Sequence, residues 1–171
     1  QMLDLYGTVD AAVCCLDSLN YLTSPRDVQK TFQRLHLFIS PGGLLVFDVN
    51  SAAKLAGLET VPCLSIQTDS QSSSLLVRCF WTDGGRLLRV TDGVREAEQD
   101  LSYWIDLFTR RGDGGWDRAG EEHRQRAYEV EELRAWLLEA GFNRIRTYGD
   151  CRMAAPREGE QRIYFSAIRG K

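Results

Sequence analysis

No CxxC pair, no apolar run of membrane-spanning length and no signal-peptide pattern occur in this sequence, and it holds only two histidines. Each absence narrows the field. Zinc sites draw three or four Cys or His ligands from short regular spacings, and two histidines far apart in the chain make no such pattern. Five cysteines are present: Cys14, Cys15, Cys63, Cys79 and Cys151. Their odd number argues against a disulfide framework and for a reducing compartment, with the adjacent pair acting as small buried hydrophobes. A membrane helix needs about 20 apolar residues in a row, and nothing here approaches that. No membrane partner is therefore expected, and the expected location is cytoplasmic. Lys and Arg total 21 against 24 Asp and Glu, a net charge of −3. So mild an acidity gives no general attraction to nucleic acid or anionic lipid.

What is present suits one ordinary globular domain: 171 residues, 43% hydrophobic and 26% charged. Residue 1 is Gln, so position 1 is read as something other than a translation start. The chain is organised around residues 10–50. Residues 9–16 are nearly all apolar, the signature of a strand covered on both faces of a parallel sheet. Ser24-Pro25-Arg26-Asp27 is a helix start: Ser24 can cap, Pro25 suits the first helical position, and Asp27 can close a capping box. Val28, Phe32, Leu35 and Ile39 form one apolar stripe at helical spacing. Ser40-Pro41-Gly42-Gly43 is expected to end the helix, and residues 44–49 read as a second buried strand. Strand, helix and parallel strand make one βαβ unit.

The rest is patterned differently. Residues 51–58 suggest a short helix. Alternating stretches then run to residue 126, broken by Asp83-Gly84-Gly85 and Gly112-Asp113-Gly114-Gly115, which read as hairpin turns of an antiparallel β insertion. Residues 67–74 read as a loop. Residues 130–140 form a second amphipathic pattern with Leu133, Trp136 and Leu137 on one side, ended by Gly141. Two last strands, 142–148 and 161–168, complete an antiparallel hairpin.

This order of elements, with CLDSLNYL (15–22), SPGGLLVFDVNS (40–51), EEHRQRAY (121–128) and EAGF (139–142), resembles the C-terminal part of a class I S-adenosylmethionine-dependent methyltransferase. The likeness is to the bacterial small-molecule type with a β insertion after the fifth core strand. It implies an α/β fold, a Rossmann-like methyltransferase sheet without its N-terminal strands, carrying an antiparallel β insertion. It divides the chain into a cofactor-binding core portion (1–58), the insertion or lid (59–126) and a closing helix and hairpin (127–171). S-adenosylmethionine is the implied cofactor, bound fully only with an N-terminal segment, because the family's glycine-rich loop is not among the residues before Asp10.

The resemblance places Cys15, Leu16 and Asp17 against the methionine part of the cofactor; Asp17 also reads as a plain turn residue. Asn20 and Tyr21 follow in the loop, where Asn can hydrogen-bond an acceptor and Tyr can face a sulfonium, or both can serve the loop itself. Asp48 and Asn50 share a strand face and can orient polar atoms of a substrate or cap the next helix. Arg126 belongs to a basic set suited to an acidic substrate group, or to a solvated face. His123, with Glu121 two residues before it, has the chemistry of a general base or of a salt-bridged strand. Phe80, Trp81, Tyr103, Trp104, Phe108 and Trp116 can floor a pocket or pack the insertion. The acceptor is expected to be a small molecule. The competing reading is a non-catalytic half-domain whose open strand edge is covered by a second copy or by an N-terminal segment.

Overall fold

The computed structural model describes residues 2–59, 64–67, 73–83, 86–88, 100–111, 113 and 115–171. The chain divides into two compact units, one formed by Gln1–Lys54 with Arg126–Lys171 and the other by Leu55–Gln125. The first unit holds β1 (Val9–Cys14), a single 3₁₀ turn (Ser18–Tyr21), α1 (Pro25–Phe38) and β2 (Ile39–Asn50). Helix α2 (Ala52–Glu59) begins in it and runs across the boundary.

After the second unit, helix α3 (Val130–Glu139) and two strands return to the first. These are numbered β8 (Phe142–Tyr148) and β9 (Arg162–Arg169), after β3 to β7 of the second unit. The four strands of the first unit lie in the order β1-β2-β9-β8. Strands β1 and β2 run parallel, Ala12 beside Leu45 and Cys14 beside Phe47. Strand β9 is antiparallel to both β2 and β8, with Phe165 beside Phe47.

Helices α1 and α3 cover one face of this sheet. The α1 stripe buries Val28 and Phe32, and the Phe32 ring lies 5.5 Å from that of Phe47. Phe47 stacks on Phe165 at 4.7 Å with the ring planes 5° apart. Each ring removed from water stabilises the fold by about 1.5–3 kcal/mol. Ser24 occupies the N-cap of α1 but makes no side-chain cap bond; the turn closes through backbone bonds from Asp27 and Val28 to the Ser24 carbonyl. The side-chain capping box forms instead at α3, between Glu129 and Glu132. Leu133 and Leu137 of α3 complete the core.

Two local expectations are corrected. Ile39 does not extend the α1 stripe: it opens β2, and the Pro-Gly-Gly sequence lies inside that strand. Val9 pairs with Ile39 and Ala11 with Leu44, so residues 40–43 bulge out opposite the single residue Asp10. Gly42 takes φ +82°, and a Cβ on Gly43 would stand 2.7 Å from the Asp10 carbonyl oxygen, which is why glycines occupy the bulge. The second correction concerns β1. Ala12 and Cys14 pack on the core, but Val13, on the opposite face, is 68% exposed. The strand is apolar apart from Asp10, yet covered on one face among the described residues.

The second unit is an antiparallel sheet of β3 (Leu64–Gln67), β4 (Ser73–Asp83), β5 (Arg86–Leu88), β6 (Asp100–Arg110) and β7 (Trp116–Arg126). Its order is β3-β4-β6-β7, with β5 paired to β4. Between β6 and β7, Arg111 N–H donates to the Gly115 carbonyl at 2.8 Å, and Asp113 Oδ1 accepts from Gly115 N–H at 2.9 Å. The 84–85 turn, residues 68–72 of the expected loop and the side chains of the expected aromatic floor lie outside the described residues. Among the described residues no helix is long and apolar enough to cross a membrane.

Candidate functional site

The site is built at the carboxyl ends of β1 and β2, where a polar turn follows each strand. Past Cys14 the chain bends sharply. Leu16 and Asp17 both take positive φ, 60° and 50°, a left-handed conformation that side-chain-bearing residues adopt at a cost of about 1–2 kcal/mol each. Bonds on every side hold this turn. Ser18 Oγ donates to the Cys15 carbonyl at 2.6 Å, the Asn20 N–H donates to the Asp17 carbonyl at 2.9 Å, and the Asp17 N–H donates to Asp48 Oδ2 at 3.1 Å. Leu16 is left 76% exposed at the tip. Burial raises the Cys14 thiol pKa, opposed by a hydrogen bond from Ser18, so this thiol stays a core group.

One cation joins the two strand ends. Arg162, the first residue of β9, donates through Nη2 to Asp17 Oδ1 at 3.1 Å and through Nη1 to Asp48 Oδ2. Asp48 is 2% exposed, and its buried Oδ1 has no hydrogen-bond partner among the described residues. Burial works to lower the Arg162 pKa, but the two carboxylates outweigh it and the net direction is upward. Lys54, in the first turn of α2, donates from Nζ to Asn50 Oδ1 at 2.8 Å. Its pKa is lowered, first by burial and then by Arg162, against the pull of Asp17, Asp150 and Asp48. Burial raises the Tyr164 pKa, with Cys151 and Asp150 adding to the shift; its hydroxyl lies 3.5 Å from Asp150 Oδ1.

Asn20 is fully buried behind this layer. Its Nδ2 donates to the carbonyls of Asn50 at 3.0 Å and Arg126 at 2.8 Å, and its Oδ1 accepts from the Asn50 N–H at 2.9 Å. The structure thus brings Asn20, Asn50 and Arg126 into direct contact through one amide, with Cys15, Leu16 and Asp17 on the adjoining turn. Tyr21 is exposed at the end of that turn. The Arg126 guanidinium sits 5.6 Å from the Tyr128 ring centroid, and the Tyr128 hydroxyl donates to the Leu22 carbonyl. His123 lies on β7 in the second unit, its Nε2 3.2 Å from Glu121 Oε2.

Sequence reasoning did not single out Lys54, and it placed Arg162 only in the same basic set as Arg126, suited to an acidic substrate group or a solvated face, without naming its partners. Arg162 reaches its partners across 114 and 145 residues of chain, and no local spacing announces such a contact. Lys54 had a faint signal, its place four residues after Asn50 at a helix start.

No family model matches the chain. Two curated proteins carrying provisional methyltransferase names do. GWCH70_2453 of Geobacillus sp. (strain WCH70) is 30% identical over 165 residues, 96% of this chain and 61% of the relative. YqeM of Bacillus subtilis (strain 168) is 33% identical over 165 residues, 96% of this chain and 60% of the relative. The chain therefore spans about three fifths of the length of the curated relatives it matches. Among solved structures, an S-adenosylmethionine-dependent methyltransferase from Clostridium acetobutylicum ATCC 824 superposes with a TM-score of 0.79 at 24% identity, over 99% of this chain and 61% of its own. The chain is similar to these two curated proteins and shares the Rossmann-like fold of the S-adenosylmethionine-dependent methyltransferases.

Proposed function

We propose that this chain forms one wall of the methyl-transfer cleft of a cytoplasmic S-adenosylmethionine-dependent methyltransferase whose acceptor is a small molecule. The observation that carries the reading is the parallel β1–β2 pair, whose carboxyl ends close over the left-handed Leu16–Asp17 turn. Open α/β sheets take their ligands at this end. The residues there fit the cofactor's charges. Asp17, Asp48 and Asp150 gather around Arg162 and Lys54, three carboxylates to two cations, a balance suited to a sulfonium and an α-ammonium group.

Bound S-adenosylmethionine supplies an electrophilic methyl group. Cys15, Leu16 and Asp17 would hold its methionine end, with Asn20 and Asn50 fixing the floor behind them. Tyr21 and Arg126 are assigned to the acceptor. His123 is assigned proton removal on chemical grounds, as an imidazole with one nitrogen held by Glu121. The protein's main contribution is alignment of nucleophile and methyl carbon.

Calorimetric titration with S-adenosylmethionine tests the reading, on this chain and on one lengthened to the span of its relatives. Saturable binding by the longer chain and none by the present one is the expected pair of results. Silence from both overturns the proposal.

The place of β1 at the end of the strand order supports a second reading, a non-catalytic half-domain whose open edge is covered by a second copy. Sedimentation of this chain decides it: a dimer that binds no cofactor at either length favours the module.

A further inference from the structure

Around the strand ends stand more charged and titratable groups than the proposed transfer uses. Asp17 follows β1, Asp48 lies in β2, Lys54 on α2, Asp150 after β8 and Arg162 at the start of β9, with Cys14, Cys151 and Tyr164 among them. Arg162 touches two of the carboxylates, Asp17 and Asp48. We propose that Arg162 is a positioning residue, which acts through Asp17 and Asp48 to hold the Leu16–Asp17 turn in the shape that receives the cofactor. This rests on the methyltransferase reading above.

Consecutive non-glycine residues at positive φ persist only where their surroundings over-determine them. Asp17 meets that condition. Its N–H is held by Asp48 Oδ2, its carbonyl by the Asn20 N–H and its carboxylate by Arg162 Nη2. Arg162 also fixes Asp48, through the same Oδ2 that receives the Asp17 N–H. Guanidinium and carboxylates thus form a closed ring around the turn. Two separate nitrogens reach two separate carboxylates, a planar fork that the single ammonium of lysine does not reproduce.

The arrangement is poor as a stabilising device. Buried ion pairs contribute little net stability unless every lone pair is satisfied, and Asp48 Oδ1 has no partner among the described residues. Its geometry suits it to fixing a shape.

The test uses the full-length protein and its R162K and R162A variants, with thermal unfolding and calorimetric affinity for S-adenosylmethionine as readouts. R162K is expected to melt within about 4 °C of the unaltered protein. Its affinity is expected to fall about ten-fold or more, as misplacement of a binding group does. R162A is expected to bind more weakly still and to recover affinity in millimolar guanidinium. General stabilisation cannot produce that recovery, since guanidinium destabilises folded proteins.

An R162K variant that binds as tightly as the unaltered protein overturns the inference. So does a folded R162A variant with weak affinity that guanidinium leaves unchanged. Should R162A fail to fold, R162K decides alone. Failure of the unaltered protein to bind is a different result, which overturns the methyltransferase reading and this inference with it.

Discussion

Asn20 pairs with the backbone of Asn50 as a neighbouring strand would, donating to its carbonyl at 3.0 Å and accepting from its N–H at 2.9 Å. The remaining amide hydrogen goes to the Arg126 carbonyl, which ties the segment entering α3 to the end of β2. One side chain on the loop after β1 therefore finishes a strand and anchors a chain crossing. The floor of the proposed cleft depends on it.

Removing that amide is expected to be costly. Asn20→Ala leaves buried backbone groups of Asn50 and Arg126 without this partner, each loss worth about 1–3 kcal/mol. A total near 3 kcal/mol is expected, read as a lower urea midpoint with an unchanged slope. Asn20→Asp keeps the acceptor, loses the donor and buries a charge, so it should be at least as damaging at neutral pH. A midpoint shift for Asn20→Ala equivalent to less than about 0.5 kcal/mol, the size of an ordinary surface substitution, would show that the clamp is not needed.

Gly141 ends α3 at φ +97°, and a Cβ there would stand 2.7 Å from His36 Nε2. Gly159 has a similar backbone, φ +73°, with nothing within 4 Å of its added Cβ. Both alanine substitutions carry the left-handed backbone cost of about 1–2 kcal/mol. Gly141→Ala adds the displacement of the imidazole. Chemical denaturation should rank Gly141→Ala below Gly159→Ala; equal losses would mean that His36 moves aside freely.

His36 also gives the fold a pH response. Burial lowers its pKa from the usual 6.5, the Arg169 charge adds to the effect, and a hydrogen bond with the Gly141 backbone opposes both. The unfolded chain therefore binds a proton more readily than the folded one. This contribution to stability is fully present above about pH 6.5 and is lost as the pH falls through the lower, folded value. His36→Gln should flatten that part of the profile. The measurement is the difference in urea midpoint between the two proteins at pH 7.5 and pH 5.5; a constant difference would exclude His36 as the source.

The βαβ unit was legible because its signals are local. Pro25 at the helix start, the spacing of Val28 and Phe32, and the apolar run of β2 each act within a few residues. The Pro-Gly-Gly sequence marked a break in the chain correctly but not its kind, because a turn and a strand bulge ask for the same glycines. Asn20 was legible as a polar residue at a strand end. Its burial depends on Asn50 and Arg126, 30 and 106 residues further on. The Arg162 bridge was illegible for the same reason: an arginine near the start of a strand names no partner until the β2–β9 register sets it opposite Asn50. Composition likewise told that β1 is mostly apolar but not which of its faces is covered.

That uncovered face yields the last prediction. Val13 stands on the side of β1 away from Phe47 and the helices, 68% exposed, with Leu16 exposed beyond the strand end. On this chain Val13→Lys should change stability by no more than about 0.5 kcal/mol, as surface substitutions do. If upstream residues of a longer chain cover this face, the same lysine would lie under them as an unpaired buried charge. The cost would then rise to about 3 kcal/mol or more. Urea denaturation of both lengths, with and without the substitution, separates the cases. A lysine tolerated equally at both lengths would leave this face to a second copy of the chain, and the substitution should then abolish dimerisation in sedimentation.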